Sequence, residues 1–185
     1  MKIRSLSMFK YMFRQPGSLV EGPVRFAIGR TALGTILMAR SQKGVCAIFL
    51  GDSEQTLRDQ LTEAFPDVDL QPDQFPLQRD LDRIVAFIDS DVQGDVINLD
   101  VGGTAFEQKV WQALCGIPAG QTRSYSKVAS ELGAPEAARA VAGACAANVL
   151  AVAIPCHRVV RGDGSASGYR WGTERKLALL AEERG

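Results

Sequence analysis

Three short apolar blocks, 24–29, 35–40 and 45–50, are separated by turn residues, with Gly34 in one gap and the Lys43-Gly44 pair in the other. Blocks of that length between turn signals predict three strands of a small antiparallel sheet. The period then changes. Leu57, Leu61 and Phe65 recur every fourth residue, and Leu77, Leu81, Ile84 and Ile88 repeat at spacings of three and four, so two amphipathic helices are expected. Asp52 and Gln55 have the spacing of a capping box ahead of the first of these helices. Thr104-x-x-Glu107 is a second capping box, opening a helix with Phe106, Val110, Trp111 and Leu114 on one side and a stop at 116–120.

Beyond it, a short helix over 124–132 ends at Gly133-Ala134, and Pro135 suits the first turn of another helix running to about Ala147. Helix, tight turn, helix is the outline of a helix-turn-helix. The second helix is almost bare: it carries a run of alanines with Gly143, and its only long polar side chains are Glu136 and Arg139. Such a surface can approach DNA closely but cannot read base edges through hydrogen bonds. The apolar run 150–154 reads as a strand, and a final helix starts at Thr173 with Leu177, Leu180 and Ala181 as its buried stripe. At about 100° per residue, Glu183 falls about 60° from Leu180 and Glu182 about 160° from it, which points Glu183 inward. The predicted fold is an α/β N-terminal domain, a small antiparallel sheet plus helices, followed by a mostly α C-terminal domain with a helix-turn-helix. Its expected divisions are a basic, mobile segment 1–22, an N-terminal α/β domain and linker 23–100, and a catalytic and DNA-binding domain 101–185.

Composition narrows the class. The chain has 185 residues, 46% hydrophobic and 23% charged, enough for a real core and somewhat more than one average domain of about 100–150 residues. No apolar run approaches the roughly 18–20 residues that span a bilayer. Residues 1–19 carry Lys2, Arg4, Lys10 and Arg14 without a continuous apolar core, a poor secretory signal. A cytoplasmic protein is expected, without a membrane partner and with reduced thiols at Cys46, Cys115, Cys145 and Cys156, which show no C-x-x-C spacing.

Net charge is zero by cancellation: residues 1–50 hold eight Lys/Arg against one acid, and residues 51–100 three against thirteen. Residues 121–176 hold eight Lys/Arg against four acids. Neutrality overall therefore leaves room for nucleic-acid binding while arguing against tight, unspecific polyanion binding.

Cys156 stands beside His157, the one histidine in the chain. Nucleophilic cysteine chemistry needs thiolate, and a nearby base raises its fraction. Adjacent side chains on an extended strand point apart, so the two meet only through a turn, which Pro155 makes credible, or through a bridging water.

Residues 104–183 as a block resemble the O6-alkylguanine-DNA alkyltransferases, most closely the C-terminal part of their bacterial adaptive-response members. The resemblance rests on Ser124-Tyr125, Ala138-Arg139-Ala140-Val141, Ala146-Ala147-Asn148, the segment 154–161 with Pro155-Cys156-His157-Arg158-Val159, Gly168-Tyr169-Arg170-Trp171-Gly172, Lys176 and Glu183. Residues 24–100 resemble the family's variable N-terminal domain only loosely.

The resemblance implies irreversible, single-turnover transfer of the alkyl group from O6-alkylguanine, and from O4-alkylthymine, in double-stranded DNA to Cys156. It makes His157 the base acting through a water and Glu183 the residue that orients it. Tyr125 becomes the donor to the departing guanine, and Asn148 the tie between helix-turn-helix and active-site strand. Backbone carbonyls of Cys156 and Val159 would hold the exocyclic amine, with Tyr169 and Arg170 lining the pocket. Arg139, with Ala138 beside it on the DNA-facing helix, would fill the gap left by the flipped nucleotide. On this reading Glu183→Gln slows the chemistry and leaves the fold nearly intact. The protein would act as a monomer, nucleoid-associated when on DNA, and no cofactor or metal is expected, because the single histidine is committed beside Cys156. The extra zinc-thiolate and activator domains of the adaptive-response members have no counterpart here, so transcriptional activation is not expected. The competing readings are a non-enzymatic binder that flags alkylated bases, against which Cys156 argues, and a cysteine hydrolase, for which no oxyanion hole is recognisable.

Overall fold

The computed structural model describes residues 5–166 and 168–185, in two compact units, one of 6–102 and one of 103–185 together with Ser5. The first unit is built on a six-stranded sheet in the order β1-β6-β4-β3-β2-β5. Its strands are β1 (Phe9–Phe13), β2 (Val24–Thr31), β3 (Gly34–Arg40), β4 (Val45–Gly51), β5 (Leu70–Pro72) and β6 (Ile97–Val101). The three expected strands are the antiparallel set β2-β3-β4, joined through a tight turn after Thr31 and another around Lys43-Gly44. The sheet as a whole is mixed, not small and antiparallel. β5 lies parallel to β2, and β6 lies parallel to both β4 and β1. Those additions are pairings between distant segments, which no local pattern announces.

β4 is buried along its whole length, as expected of a strand covered on both faces. Helix α1 (Glu54–Ala64) packs on β3 and β4, and α2 (Gln74–Ser90) packs on β2. Leu57 and Leu61 of α1, and Leu77, Leu81, Ile84 and Ile88 of α2, are the buried positions their spacing predicted. The cap of α1 is one residue later than Asp52/Gln55 suggests. Ser53 accepts the Thr56 N–H, while Gln55 turns to Asp59 instead.

Of the basic segment 1–22, whose first four residues lie outside the described ones, residues 6–13 are structured and not mobile as expected. Leu6–Met8 form a 3-10 turn and Phe9–Phe13 form edge strand β1. Phe9 is buried against Phe87 with ring centroids 5.2 Å apart, and Arg14 meets Asp100 at 3.5 Å. Aromatic burial and a largely buried ion pair outweigh the chain entropy that made this stretch look mobile. The acidic stretch 66–100 is likewise structured, as β5, α2 and β6.

The second unit holds α3 (Ala105–Cys115), α4 (Tyr125–Glu131), α5 (Ala138–Ala147) and α6 (Thr173–Arg184), with a two-stranded sheet of β7 (Arg123–Ser124) and β8 (Val159–Val160). The capping box of α3 is present: Thr104 Oγ1 accepts the Glu107 N–H at 3.1 Å, and Glu107 Oε2 accepts the Thr104 N–H at 3.0 Å. Val110, Trp111 and Leu114 form its buried stripe, and Trp111 Nε1 donates to the Ala144 carbonyl at 2.9 Å, pinning α3 to α5.

Two expected features are displaced. Pro135 does not open α5; the Ala137 N–H closes a turn onto the Ala134 carbonyl, and α5 begins at Ala138. A residue before proline is pushed out of the helical region, so the turn absorbs Ala134 and Pro135. The run 150–154 is not a strand either. It is a buried tight turn with Val152 at φ 67°, closed by the Ala153 N–H onto the Ala151 carbonyl at 2.7 Å and the Ile154 N–H onto the Leu150 carbonyl at 3.0 Å.

Loss of the α3 cap is measurable. Thr104→Ala is expected to lower stability by about 1 kcal/mol, seen as a lower urea midpoint at unchanged m-value, with no effect on chemistry at Cys156.

Candidate active site

The site is assembled from the segments that follow α5. Asn148, the residue after that helix, is fully buried, and its amide organises the turn beyond it. Oδ1 accepts the Leu150 N–H at 2.9 Å, while Nδ2 donates to the Ile154 carbonyl at 3.0 Å and to Cys156 Sγ at 3.2 Å. One side chain therefore holds both the left-handed turn at Val152 and the sulfur. A β-branched residue at positive φ is costly, by about 1–3 kcal/mol, and persists only where its surroundings over-determine it.

Cys156, His157 and Arg158 form a single 3-10 turn after Pro155, so the chain does turn where the sequence suggested. His157 Nε2 lies 2.9 Å from Glu183 Oε1. Arg158 grips the same carboxylate with two bonds, Nε to Oε2 at 3.0 Å and Nη2 to Oε1 at 2.8 Å, and donates through Nη1 to the Ile117 carbonyl at 2.7 Å. Burial acts to raise the Glu183 pKa, but the hydrogen bonds and charges of His157 and Arg158 outweigh it and bring the carboxyl down to about 2. An ionised carboxylate only accepts, so the neutral imidazole carries its hydrogen on Nε2, and Nδ1 is the nitrogen able to take up a proton.

Glu183 is 2% exposed, although it stands two residues from the end of the sequence. Gly120 backs it up: with φ 83°, its position brings a would-be Cβ to 3.1 Å from the Glu183 carbonyl oxygen. Glu182 is exposed. The expected buried stripe of α6 is wrong in detail, since Leu177 is 51% exposed and the inward positions are Lys176, Leu179, Leu180 and Glu183. α6 packs on the turn that carries Cys156, with Lys176 and Glu183 seven residues apart on its inner face.

Lys176 and Arg158 are the residues to which sequence reasoning assigned no role. Lys176 is fully buried, with Nζ 5.9 Å from the centre of the Tyr125 ring. Burial lowers its pKa, and the neighbouring Cys156 and Cys145 sulfurs oppose that shift. The signal was the two-turn spacing to Glu183, which puts both polar residues on one face.

Tyr125 opens α4. The parallel pairing of Arg123 with Val159 and Ser124 with Val160 carries that helix start to the end of the Cys156 turn. A Cβ on Gly168 would stand 3.9 Å from the Tyr125 hydroxyl, so the 168–172 segment faces it. Burial raises the Tyr125 pKa, with Cys145 and Cys156 adding to the shift. Tyr169 is buried between His157 and Trp171, in edge contacts with centroids at 6.5 and 5.3 Å. Arg170 is exposed and donates to the Ala146 carbonyl at 3.1 Å, near the C-terminal end of α5. Val159 is buried, and its N–H already occupies the Cys156 carbonyl. Ala138 and Arg139 begin α5 at its other end, with Arg139 exposed and away from this cluster.

The thiol itself departs from expectation. Burial pushes Cys156 up to about 11, against the opposing effects of the Asn148 donor, Lys176 and Arg170. Burial therefore favours the protonated form at pH 7, and the resting nucleophile is a thiol. Cys46 and Cys145 are higher still, at about 12, through burial first. Among the described residues no three His, Cys, Asp or Glu side chains converge as a metal would require, and no helix is long and apolar enough to cross a membrane.

Residues 105–185 match the family model described as 6-O-methylguanine DNA methyltransferase, DNA binding domain. The crystal structure of the Mycobacterium tuberculosis O6-methylguanine methyltransferase superimposes with a TM-score of 0.70 at 32% identity, covering 87% of this chain and 93% of that one. The chain belongs to the 6-O-methylguanine DNA methyltransferase family. The M. tuberculosis enzyme in complex with DNA gives a TM-score of 0.71 at 34% identity, over 86% of this chain and 92% of that one. The Escherichia coli bifunctional transcriptional activator/DNA repair enzyme Ada is 47% identical over 97% of this chain and 50% of its own length. The chain thus spans about half the length of the Ada relatives it matches. Within the methyltransferase family, the likeness to the M. tuberculosis structure extends over both units of this chain.

The Glu183 geometry argues against the expectation that Glu183→Gln leaves the fold nearly intact. Removing the carboxylate charge strands Arg158 in the core, and such a loss costs about 3–5 kcal/mol. The folded pKa lies below the ordinary carboxyl value of 4.5, so the contribution is complete above about pH 4.5 and disappears as pH falls toward 2. Urea unfolding of wild type and Glu183→Gln should show a wide stability gap at pH 7 that closes in acid, while Glu182→Gln tracks wild type throughout. A gap that stays constant down to pH 2.5 would contradict this account.

Proposed function

We propose that this chain repairs alkylated DNA by direct reversal, moving the alkyl group of O6-alkylguanine, and of O4-alkylthymine, onto Cys156. The observation that carries the reading is the buried Cys156 sulfur, held by Asn148 and backed by the His157–Glu183 pair, in a chain of the methyltransferase family. Sγ attacks the alkyl carbon, an S–C bond forms and the C–O6 bond breaks, with the electron pair leaving on the guanine. Because the thiol is protonated at rest, its proton has to depart as the S–C bond forms. Nδ1 of His157, reached through a water, takes it, and Glu183 stabilises the resulting imidazolium. Tyr125 returns a proton to the departing guanine, and the buried ammonium of Lys176 steadies negative charge on sulfur or phenol as it develops. The product thioether offers water no good leaving group, so each molecule acts once. The cysteine sets aside the reading as a non-enzymatic lesion binder.

An alkyl carbon inside a stacked duplex is out of reach, so the nucleotide must be flipped out at a cost of a few kcal/mol. α4 and α5 form the helix-turn-helix of this reading. The outward positions of α5 are Arg139, Ala140, Gly143 and Ala146, a face that lets the backbone approach DNA and leaves Arg139 to occupy the vacated stack. Arg170 and Tyr169 line the base pocket, with the backbone carbonyls of Cys156 and Val159 holding the exocyclic amine, and Ala138 lies beside Arg139 on the DNA-facing helix. Double-stranded DNA is the partner and the monomer the working form in the cytoplasm.

Mass spectrometry after exposure to O6-methylguanine DNA should show one added methyl group per chain, on Cys156 and not on Cys46, Cys115 or Cys145. More than one turnover per chain, or labelling elsewhere, would refute the assignment.

Arg139→Ala is expected to slow repair of duplex by about 10-fold or more, if one inserted side chain replaces stacking of about 1–3 kcal/mol, and to leave reaction with free O6-benzylguanine near wild type. Equal losses on the two substrates would remove the flipping role.

A further inference from the structure

The sheet unit contains a cavity of about 370 Å³ lined by Pro23, Arg25, Arg40, Ser41, Gln42, Pro76, Leu77 and Asp80. It uses none of the residues of the cysteine site. Arg25 and Arg40 are directly opposed in the antiparallel β2–β3 register, a placement in which like charges repel and weaken a sheet. Acids at and within α2 offset them: Asp73 lies 3.4 Å from Arg25, and Asp80 lies 2.7 Å from Arg40. Asp80 is shared, because Arg83 meets it at 3.0 Å. Two carboxylates therefore serve three guanidiniums, and the seam keeps one uncompensated positive charge. Nearby Lys43 is answered by Glu21 at 3.6 Å and does not change the balance.

The remaining walls are of a different kind. Pro23 and Pro76 give apolar surface with the largely buried Leu77 behind them, and the exposed Gln42 adds an amide, while the Ser41 hydroxyl is already donated to Asp100. Pro76 and Leu77 belong to the opening turn of the 17-residue α2, whose N-cap is the Asp73 that meets Arg25. The volume exceeds what one inorganic anion needs, given about 30 Å³ for a water molecule, and falls within the roughly 300–1,000 Å³ of small-molecule pockets. Two guanidiniums on one side suit a phosphate, which arginine binds in bidentate fashion.

We propose that this cavity binds a nucleoside monophosphate, its phosphate between Arg25 and Arg40 and its ring against Pro23, Pro76 and Leu77. When Arg40 turns to the phosphate, Asp80 keeps Arg83, and Arg25, which meets Asp73 through Nη1, has to keep that contact while its other nitrogens turn to the phosphate. The same chemistry is offered by a free mononucleotide and by the 5′-phosphorylated terminal nucleotide of a DNA strand. The proposal does not rest on alkyl transfer at Cys156.

The test is titration of the full chain with adenosine 5′-monophosphate, adenosine and inorganic phosphate, followed by the backbone amide signals of Ser41 and Gln42. The nucleotide is expected to shift both signals saturably, with inorganic phosphate and adenosine each weaker by about tenfold or more, since each lacks one half of the contacts. Arg25→Gln, a substitution of a half-exposed side chain, should weaken nucleotide binding by about tenfold at unchanged Tm, and Arg40→Gln should do the same. No saturable shift, equal binding of adenosine and nucleotide, or undiminished binding in Arg25→Gln would each overturn the site. A pair of oligonucleotides with and without the 5′-phosphate distinguishes the sources. A Ser41 and Gln42 response to the phosphorylated strand supports the site as a reader of strand ends. A response to the free nucleotide alone supports it as a site for the soluble pool.

Discussion

A carboxylate that is almost wholly withdrawn from water can stay ionised only if its charge is matched on the spot, and Glu183 is matched twice. Arg158 approaches it as a fork and His157 as a single donor. Because both donors sit on the turn that carries Cys156, while Glu183 sits on α6, the charge requirement fixes the last helix against the nucleophile. Arg158 spends its third contact on the Ile117 carbonyl, so the loop after α3 joins the same knot. The position of the imidazole, its tautomer and the anchoring of the end of the chain all follow from one ionised group that cannot be left unpaired.

Asn148 performs the neutral counterpart of that role. Its amide makes donor and acceptor bonds around a turn that ordinary backbone preferences disfavour, and the bond to Sγ comes from the same nitrogen that secures Ile154. The residue also follows directly on α5, whose final carbonyls are further engaged by Trp111 at Ala144 and by Arg170 at Ala146. Movement of α5 and movement of the sulfur are therefore mechanically linked through a few named hydrogen bonds.

Features that depend on a few neighbouring residues were legible in the sequence. The Thr104/Glu107 cap, the stripes of α1, α2 and α3, and the inward choice of Glu183 over Glu182 all come from short-range spacing. β1 left a readable trace as well, since Phe9, Tyr11 and Phe13 alternate with Lys10 and Met12, but the charges of the segment masked it. The buried turn at 150–154 could not be told from a strand, because five consecutive apolar residues have no period. β7 and β8 are two residues each and exist only through their pairing. The high pKa of Cys156 was also hidden: adjacency to histidine suggests activation, whereas depth of burial, a property of the whole fold, sets the opposite trend.

That burial has a consequence for the lifetime of the molecule before use. If Cys156 is consumed in the transfer proposed above, every encounter with a stray electrophile spends a protein. Small soluble alkylating agents react with exposed, ionised thiols, and Cys156 is neither. A sulfur that burial keeps protonated has a long shelf life among soluble electrophiles. The same feature that makes the resting nucleophile sluggish keeps the stock of unspent protein intact until a lesion arrives.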